Sequence, residues 1–251
     1  MPESTQRGRV RVEQGQKRVR IYLGGDLVAD TFRPLLVWEG PYPTYYVPEG
    51  DVKSELIATG ATHHSTSRGE AEVYDVKVAR ATAAGAASRY LDSPIEQLRT
   101  AVRFDWNAMD EWLEEDEPVY THARDPYTRV DILGSSRQVR VEVDGVTVAE
   151  SNQPRVLFET GLPPRYYLPA EDVHADLLVQ SEKKTRCAYK GFASYWHVQV
   201  GGELHDDLVW TYPEPQHDAE PVRDLLCFFN ERVDLELDGK LEERPVTQWS
   251  R

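Results

Sequence analysis

The sequence predicts an all-β protein with minor helix, built as two tandem copies of one small β domain. Three observations carry that expectation: an ordered internal repeat, short runs in which apolar and polar residues alternate, and the frequent Gly and Pro that close turns between strands need.

The repeat is read by aligning the chain with itself. Lys17-Arg18-Val19-Arg20-Ile21 matches Arg137-Gln138-Val139-Arg140-Val141. The register continues through Gly25/Gly145, Val28-Ala29-Asp30/Val148-Ala149-Glu150, Pro34/Pro154 and Glu39/Glu159. One inserted residue later, Tyr45-Tyr46-Val47-Pro48 meets Tyr166-Tyr167-Leu168-Pro169, and Asp51-Val52 meets Asp172-Val173. Arg68-Gly69, Tyr90 and Phe104 then meet Lys190-Gly191, Tyr212 and Phe228. Two copies at so long a period argue against a solenoid or propeller and for two complete domains, over 1–124 and 125–251.

Within each copy the elements follow from local pattern. Val19, Ile21 and Leu23 alternate with polar residues before Gly24-Gly25, as Val139, Val141 and Val143 do before Asp144-Gly145. Such a dipeptide supplies the positive φ of a tight hairpin. Leu35-Leu36-Val37-Trp38 and Val156-Leu157-Phe158 suit buried strands, Phe192–Val198 and Leu208–Tyr212 two more, and Val233–Asp238 alternates strictly up to Gly239. Val52/Leu56 and Val173/Leu177 stand four apart and predict a turn or two of helix, and Ser93-Pro94-Ile95-Glu96 reads as a capping box opening a brief helix.

Composition narrows the function classes. Lys and Arg number 29 against 43 Asp and Glu, a net charge of −14, which repels a phosphate backbone and argues against nucleic-acid binding despite the cluster Arg7, Arg9, Arg11, Lys17, Arg18 and Arg20. Two cysteines, Cys187 and Cys227, give no disulfide framework, and neither a signal peptide nor a long apolar run is evident. The expectation is a cytoplasmic protein with no membrane partner.

The motifs of the second copy resemble the domain of unknown function 427 family: Glu159, Tyr166-Tyr167-Leu168-Pro169, Asp172-Val173, Thr185-Arg186-Cys187, Lys190-Gly191, Tyr195-Trp196, Trp210-Thr211-Tyr212-Pro213 and Val233-Asp234. The first copy matches more loosely, and the whole resembles the tandem bacterial, often actinobacterial, form. The resemblance implies a β-tent-like, barrel-like fold, a group that includes zinc-binding and methionine sulfoxide reductase domains. It also carries a nucleotidyltransferase-like label. That chemistry requires a Gly-Ser turn followed by paired metal carboxylates. Gly134-Ser135 is followed by the strand-like Arg137–Val143, without the pair.

Candidate sites are weighed against plainer readings. Asp234, Glu236 and Asp238 share a strand face, but alternate with Val233, Leu235 and Leu237 as a solvated face does. No C-x-x-C exists, His63-His64 point to opposite faces of a strand, and His205-Asp206-Asp207 reads as a hairpin tip, so no metal and no cofactor is expected. Cys187, three residues before Lys190, is the candidate nucleophile, since a nearby ammonium favours the thiolate; the alternative is a small buried hydrophobe. Tyr166, Tyr167, Tyr195, Trp196, Trp210 and Tyr212 form an aromatic group with Glu159 and Lys190 as polar handles. The expected ligand-binding set is Glu159, Tyr166, Lys190, Tyr195, Trp210 and Tyr212, in a small-molecule pocket within residues 155–215. The matched first-copy residues Arg68, Val73 and Ser88 are expected to build no equivalent pocket. The alternatives are an enzyme, nucleotidyltransferase-like or using Cys187 and Lys190, and a protein–protein interaction module. Residues 122–131, rich in Arg, Asp and Tyr, offer either an anion-binding arm through Arg124 and Arg129 or a set of salt bridges.

Overall fold

In the computed structural model, which describes residues 10–250, the chain divides into two compact units, Met1–Asp125 and Pro126–Arg251. Arg7 and Arg9 of the basic cluster lie outside the described residues. The first unit has strands β1 (Arg11–Gln14), β2 (Val19–Leu23), β3 (Asp26–Thr31), β4 (Leu35–Trp38), β5 (Pro43–Pro48) and β6 (Glu55–Ser65). It continues with β7 (Gly69–Lys77), β8 (Thr82–Arg89), β9 (Ala101–Phe104), β10 (Glu111–Glu114) and β11 (Glu117–Pro118). The second unit repeats the plan with β12 (Val130–Gly134), β13 (Val139–Val143), β14 (Val146–Ser151), β15 (Arg155–Glu159), β16 (Arg165–Leu168) and β17 (Leu178–Cys187). Then follow β18 (Gly191–Val200), β19 (Glu203–Pro215), β20 (Leu226–Phe228), β21 (Asp234–Leu237) and β22 (Lys240–Leu241).

Each unit holds a seven-stranded and a four-stranded antiparallel sheet. The large sheets run β1-β4-β5-β9-β8-β7-β6 and β12-β15-β16-β20-β19-β18-β17, an identical plan, and the small ones β11-β10-β2-β3 and β14-β13-β21-β22. The alternation that announced β2 and β13 buries Val19, Ile21, Val139 and Val141 between the two sheets of their unit. The opposing layer in the first unit comes from Leu36, Tyr45, Val47, Val102 and Phe104. Because side chains on a strand alternate in direction, the neighbours Val37, Tyr46 and Ala101 face outward. There they form a second cluster with Ala71, Tyr90 and Leu98.

Helix is scarcer than the spacing of Val52 and Leu56 predicts. Only a 3₁₀ turn, Glu49–Asp51, precedes them; Val52 bridges Ala29 and Leu56 lies in β6. The second copy makes two such turns, Ala170–Asp172 and Ala175–Leu177. Burial on the sheet outweighs a four-residue spacing too short to nucleate a helix. The capping box also shortens: Ser93 Oγ accepts from the Ile95 amide at 3.1 Å and the turn begins at Glu96. Its counterpart, His217–Val222, is longer and buries Ala219 and Val222. No helix among the described residues is long and apolar enough to cross a membrane.

The ends of the 122–131 segment are held by their own units. Arg124 lies 3.9 Å from Glu117, Trp38 Nε1 donates to Asp125 at 2.9 Å, and Arg129 pairs with Asp131 at 2.9 Å. In the basic cluster, Arg11 meets Glu13, Lys17 Glu114, Arg18 Asp30 and Arg20 Asp116.

Candidate functional site

The outer face of each large sheet carries the shared motif. Antiparallel register places Tyr167 opposite Cys227, Cys227 opposite Trp210 and Trp210 opposite Tyr195, so these four side chains form one row on one face. The first unit sets Tyr46, Arg103, Ser88 and Val73 in the corresponding row. Tyr212 and Tyr90 lie two residues beyond Trp210 and Ser88, on the same side. Tyr166 does not belong to this face. It alternates with Tyr167, pairs with Val156 and meets Arg137 in the loop before β13, as its match Tyr45 joins the core between the sheets. Tyr166 therefore faces away from the other expected ligand-binding residues, and Tyr167 stands on their face. Trp196 alternates away from Tyr195 in the same way.

At the margin of this face Lys190 and Glu159 form an ion pair, with side chains only 10% and 9% exposed. Glycine after the lysine has a steric reason. Gly191 has φ +95°, and a Cβ there would stand 3.0 Å from the Glu214 carbonyl oxygen, because residues 214–216 cross over it. The Gln216 amide closes that crossing by donating to the Lys190 carbonyl at 3.1 Å. The first copy repeats the arrangement: Gly69 has φ +91° under Pro94, and Arg68 pairs with Glu39, their side chains 16% and 15% exposed. Arg68 thus makes in the first copy the charge pair that Lys190 makes in the second. The other positions differ: Val73 and Ser88 stand where Tyr195 and Trp210 stand.

The other side chains of the second face are hydrogen-bonded in separate groups. Trp210 Nε1 donates to Tyr167 Oη at 3.0 Å, and Tyr195 Oη lies 2.8 Å from Thr185 Oγ1. Burial pushes the Tyr167 and Tyr212 hydroxyls well above the usual tyrosine range, so both stay neutral. Sequence reasoning missed Arg165, two residues before Tyr167. It is held bidentately by Glu231 at 2.6 and 2.7 Å, and its guanidinium lies 5.4–5.9 Å from the rings of Trp210, Phe229 and Trp249. Strand parity with Tyr167 was the available signal.

The first face is more polar. Tyr46 Oη donates to Glu39 Oε1 at 2.5 Å and receives from Arg68 Nη1 at 2.9 Å. Arg103 Nε approaches Glu39 Oε2 at 3.4 Å, and His63 Nε2 lies 2.9 Å from Tyr90 Oη. His64 meets Glu70 instead, as alternation along β6 requires. Two open grooves border this unit's outer cluster: one of about 520 Å³ past Val12, Ser67 and Ile95, and one of about 220 Å³ past Arg33, Leu35 and Thr100.

Cys187 ends β17, partly buried, opposite Gly191. The ammonium of Lys190 is engaged by Glu159. Cys227 is fully buried, and burial pushes its thiol far up, making it the inert kind. The carboxylates of Asp234, Glu236 and Asp238 each meet an arginine: Arg244 at 2.8 Å, Arg140 at 2.5 Å and Arg137 at 3.0 Å. No cluster of potential metal ligands occurs among the described residues.

Two all-β units on one plan, each with a basic–acidic pair under a crossing segment, define a tandem duplication. The sequence profile of a family described as a domain of unknown function (DUF427) matches both halves, over residues 11–115 and 131–239. The chain belongs to that family, with two copies of its domain in tandem. No curated protein matches it.

Proposed function

We propose that this is a small-molecule-binding protein, with its principal site on the outer sheet face of the second repeat. Lys190 and Glu159 are its polar handles, and Tyr195, Trp210, Tyr212 and Tyr167 its aromatic wall. One observation carries the reading: both repeats keep a largely buried basic–acidic pair at the same place, against tyrosines at the same sheet positions. Such a pair gives little net stability, because desolvating two charges offsets most of their attraction. Paired charges withdrawn from water beside aromatic surface are common in ligand sites. The −14 charge favours a small ligand over nucleic acid, and the two cysteines fit a reducing compartment. A ligand salt-bridging to Lys190 would displace Glu159 or share the ammonium with it.

The test is native mass spectrometry of the full chain purified gently from its own cells. The expected result is a bound small molecule that Lys190→Ala releases, while an exposed control, Lys240→Ala, retains it. A chain that arrives bare, or an adduct indifferent to Lys190, would refute the proposal.

A further inference from the structure

We propose that the outer sheet face of the first repeat is a separate binding site for a small organic carboxylate, received by Arg103 with Ser88 as a second polar contact.

The charges differ between the two faces. In the second repeat one ammonium, Lys190, faces one carboxylate, Glu159, and the position opposite Tyr167 is the neutral Cys227. In the first repeat two guanidinium groups, Arg68 and Arg103, converge on the single carboxylate of Glu39. Arg68 is fully engaged, by Glu39, by Tyr46 and by Ser65 Oγ at 3.0 Å from its Nε. Arg103 is not: its one hydrogen bond is the 3.4 Å approach of Nε to Glu39, its charge also lies near the Tyr90 hydroxyl, and its terminal nitrogens make no hydrogen bond or ion pair among the described residues. Its side chain is 32% exposed, so the open end of the fork is within reach of solvent. A planar guanidinium with two free donors matches a carboxylate bidentately. One surplus positive charge calls for one negative charge.

Ser88 supplies an independent observation. It is 5% exposed, and its Oγ is buried with no hydrogen-bond partner. Leaving a buried hydroxyl unsatisfied is destabilising, yet Ser88 pairs directly with Arg103 across β8 and β9. It also stands where the second repeat has the indole of Trp210. A small residue there, with an unspent hydroxyl beside an open guanidinium, is what a bound acid would need. His63 and Tyr90 edge the same cluster through their 2.9 Å contact.

This site is independent of the second-repeat reading, and the experiment keeps them apart. Full-length protein labelled with ¹⁵N is titrated with sodium acetate at constant ionic strength, with chloride and inorganic phosphate as the other arms. Saturating shifts are expected at the Arg103 Nε–H and around residues 39, 63, 88 and 90, with residues 155–215 unmoved. Arg103→Gln should weaken acetate binding at least tenfold and Ser88→Ala severalfold, while the charge-matched control Lys53→Gln leaves it unchanged. The backbone spectra of the variants report that the fold persists. Absence of saturable shifts, equal shifts with chloride, tighter binding of phosphate than acetate, or binding that survives Arg103→Gln would each overturn the proposal.

Discussion

Replacing Gly191 by alanine tests the geometry of the crossing segment, and Gly69 provides an internal standard. Both residues have nearly the same left-handed backbone, φ +95° and +91°. An L side chain there costs about 1–3 kcal/mol at either place. The surroundings differ. At Gly69 the nearest atom to a new Cβ is Pro94 Cδ at 3.4 Å, an ordinary contact. At Gly191 the nearest atoms are backbone, the Glu214 oxygen at 3.0 Å and the Gln216 nitrogen at 3.3 Å, and neither can rotate away. Pushing them apart also stretches the Gln216-to-Lys190 hydrogen bond, which adds about 1 kcal/mol or more. Gly191→Ala should therefore cost at least about 1 kcal/mol more than Gly69→Ala. Urea unfolding followed by NMR signals from each unit separately measures both, since two domains need not unfold in one step. Equal losses, or a smaller loss at Gly191, would refute the close approach of residues 214–216.

Three further outcomes follow from the site's chemistry. Burial alone would raise the Glu231 carboxyl, but hydrogen bonds from Arg165 and Thr247 and the Arg165 charge bring it below the usual range. Its contribution is therefore present above the unfolded value near 4.5 and is lost as pH falls through the lower folded value. The stability gap between the natural chain and Glu231→Gln should accordingly shrink in acid denaturation below that pH, and a gap that widens would contradict the pairing. In the folded protein iodoacetamide should alkylate Cys187, with Cys227 reacting only after unfolding; mass spectrometry reads this, and early labelling of Cys227 would show that its strand is not buried. Trp249→Ala should raise exchange of the Arg165 guanidinium protons, because its ring covers them at 5.4 Å, and unchanged exchange would deny that cover.

Most of the fold was legible because strands and tight turns announce themselves locally. The Asp144-Gly145 and Asp238-Gly239 turns have the positive φ their residues favour, +50° and +76°, and +54° and +78°. β8 was not legible: its Ala-Gly-Ala-Ala run has no alternation to read, and neighbours on both sides make it a strand. The short helix over Val52–Leu56 failed for the converse reason, a local spacing overruled by sheet pairing. In the site, matching the copies placed Lys190, Trp210 and Tyr195 in register with Arg68, Ser88 and Val73 correctly. Strand parity, which puts Trp210 and Tyr212 on one face, also separates Tyr166 from Tyr167, one residue and so one face apart. Arg165 and its partner Glu231 come from distant segments that only the folded sheet brings together.

The central claim is that the Lys190–Glu159 pair is kept for a ligand and not for stability. Removing one partner from a buried pair costs about 3–5 kcal/mol, whereas apolar residues of similar size at both positions are often neutral. The decisive measurement compares Lys190→Met with the double variant Lys190→Met/Glu159→Leu, recording unfolding free energy and retained ligand on the same samples. The single variant should be strongly destabilised. The double should return to within about 1 kcal/mol of the natural chain while losing the bound molecule. A double variant as unstable as the single one, or one that is stable and still carries its ligand, would contradict the account.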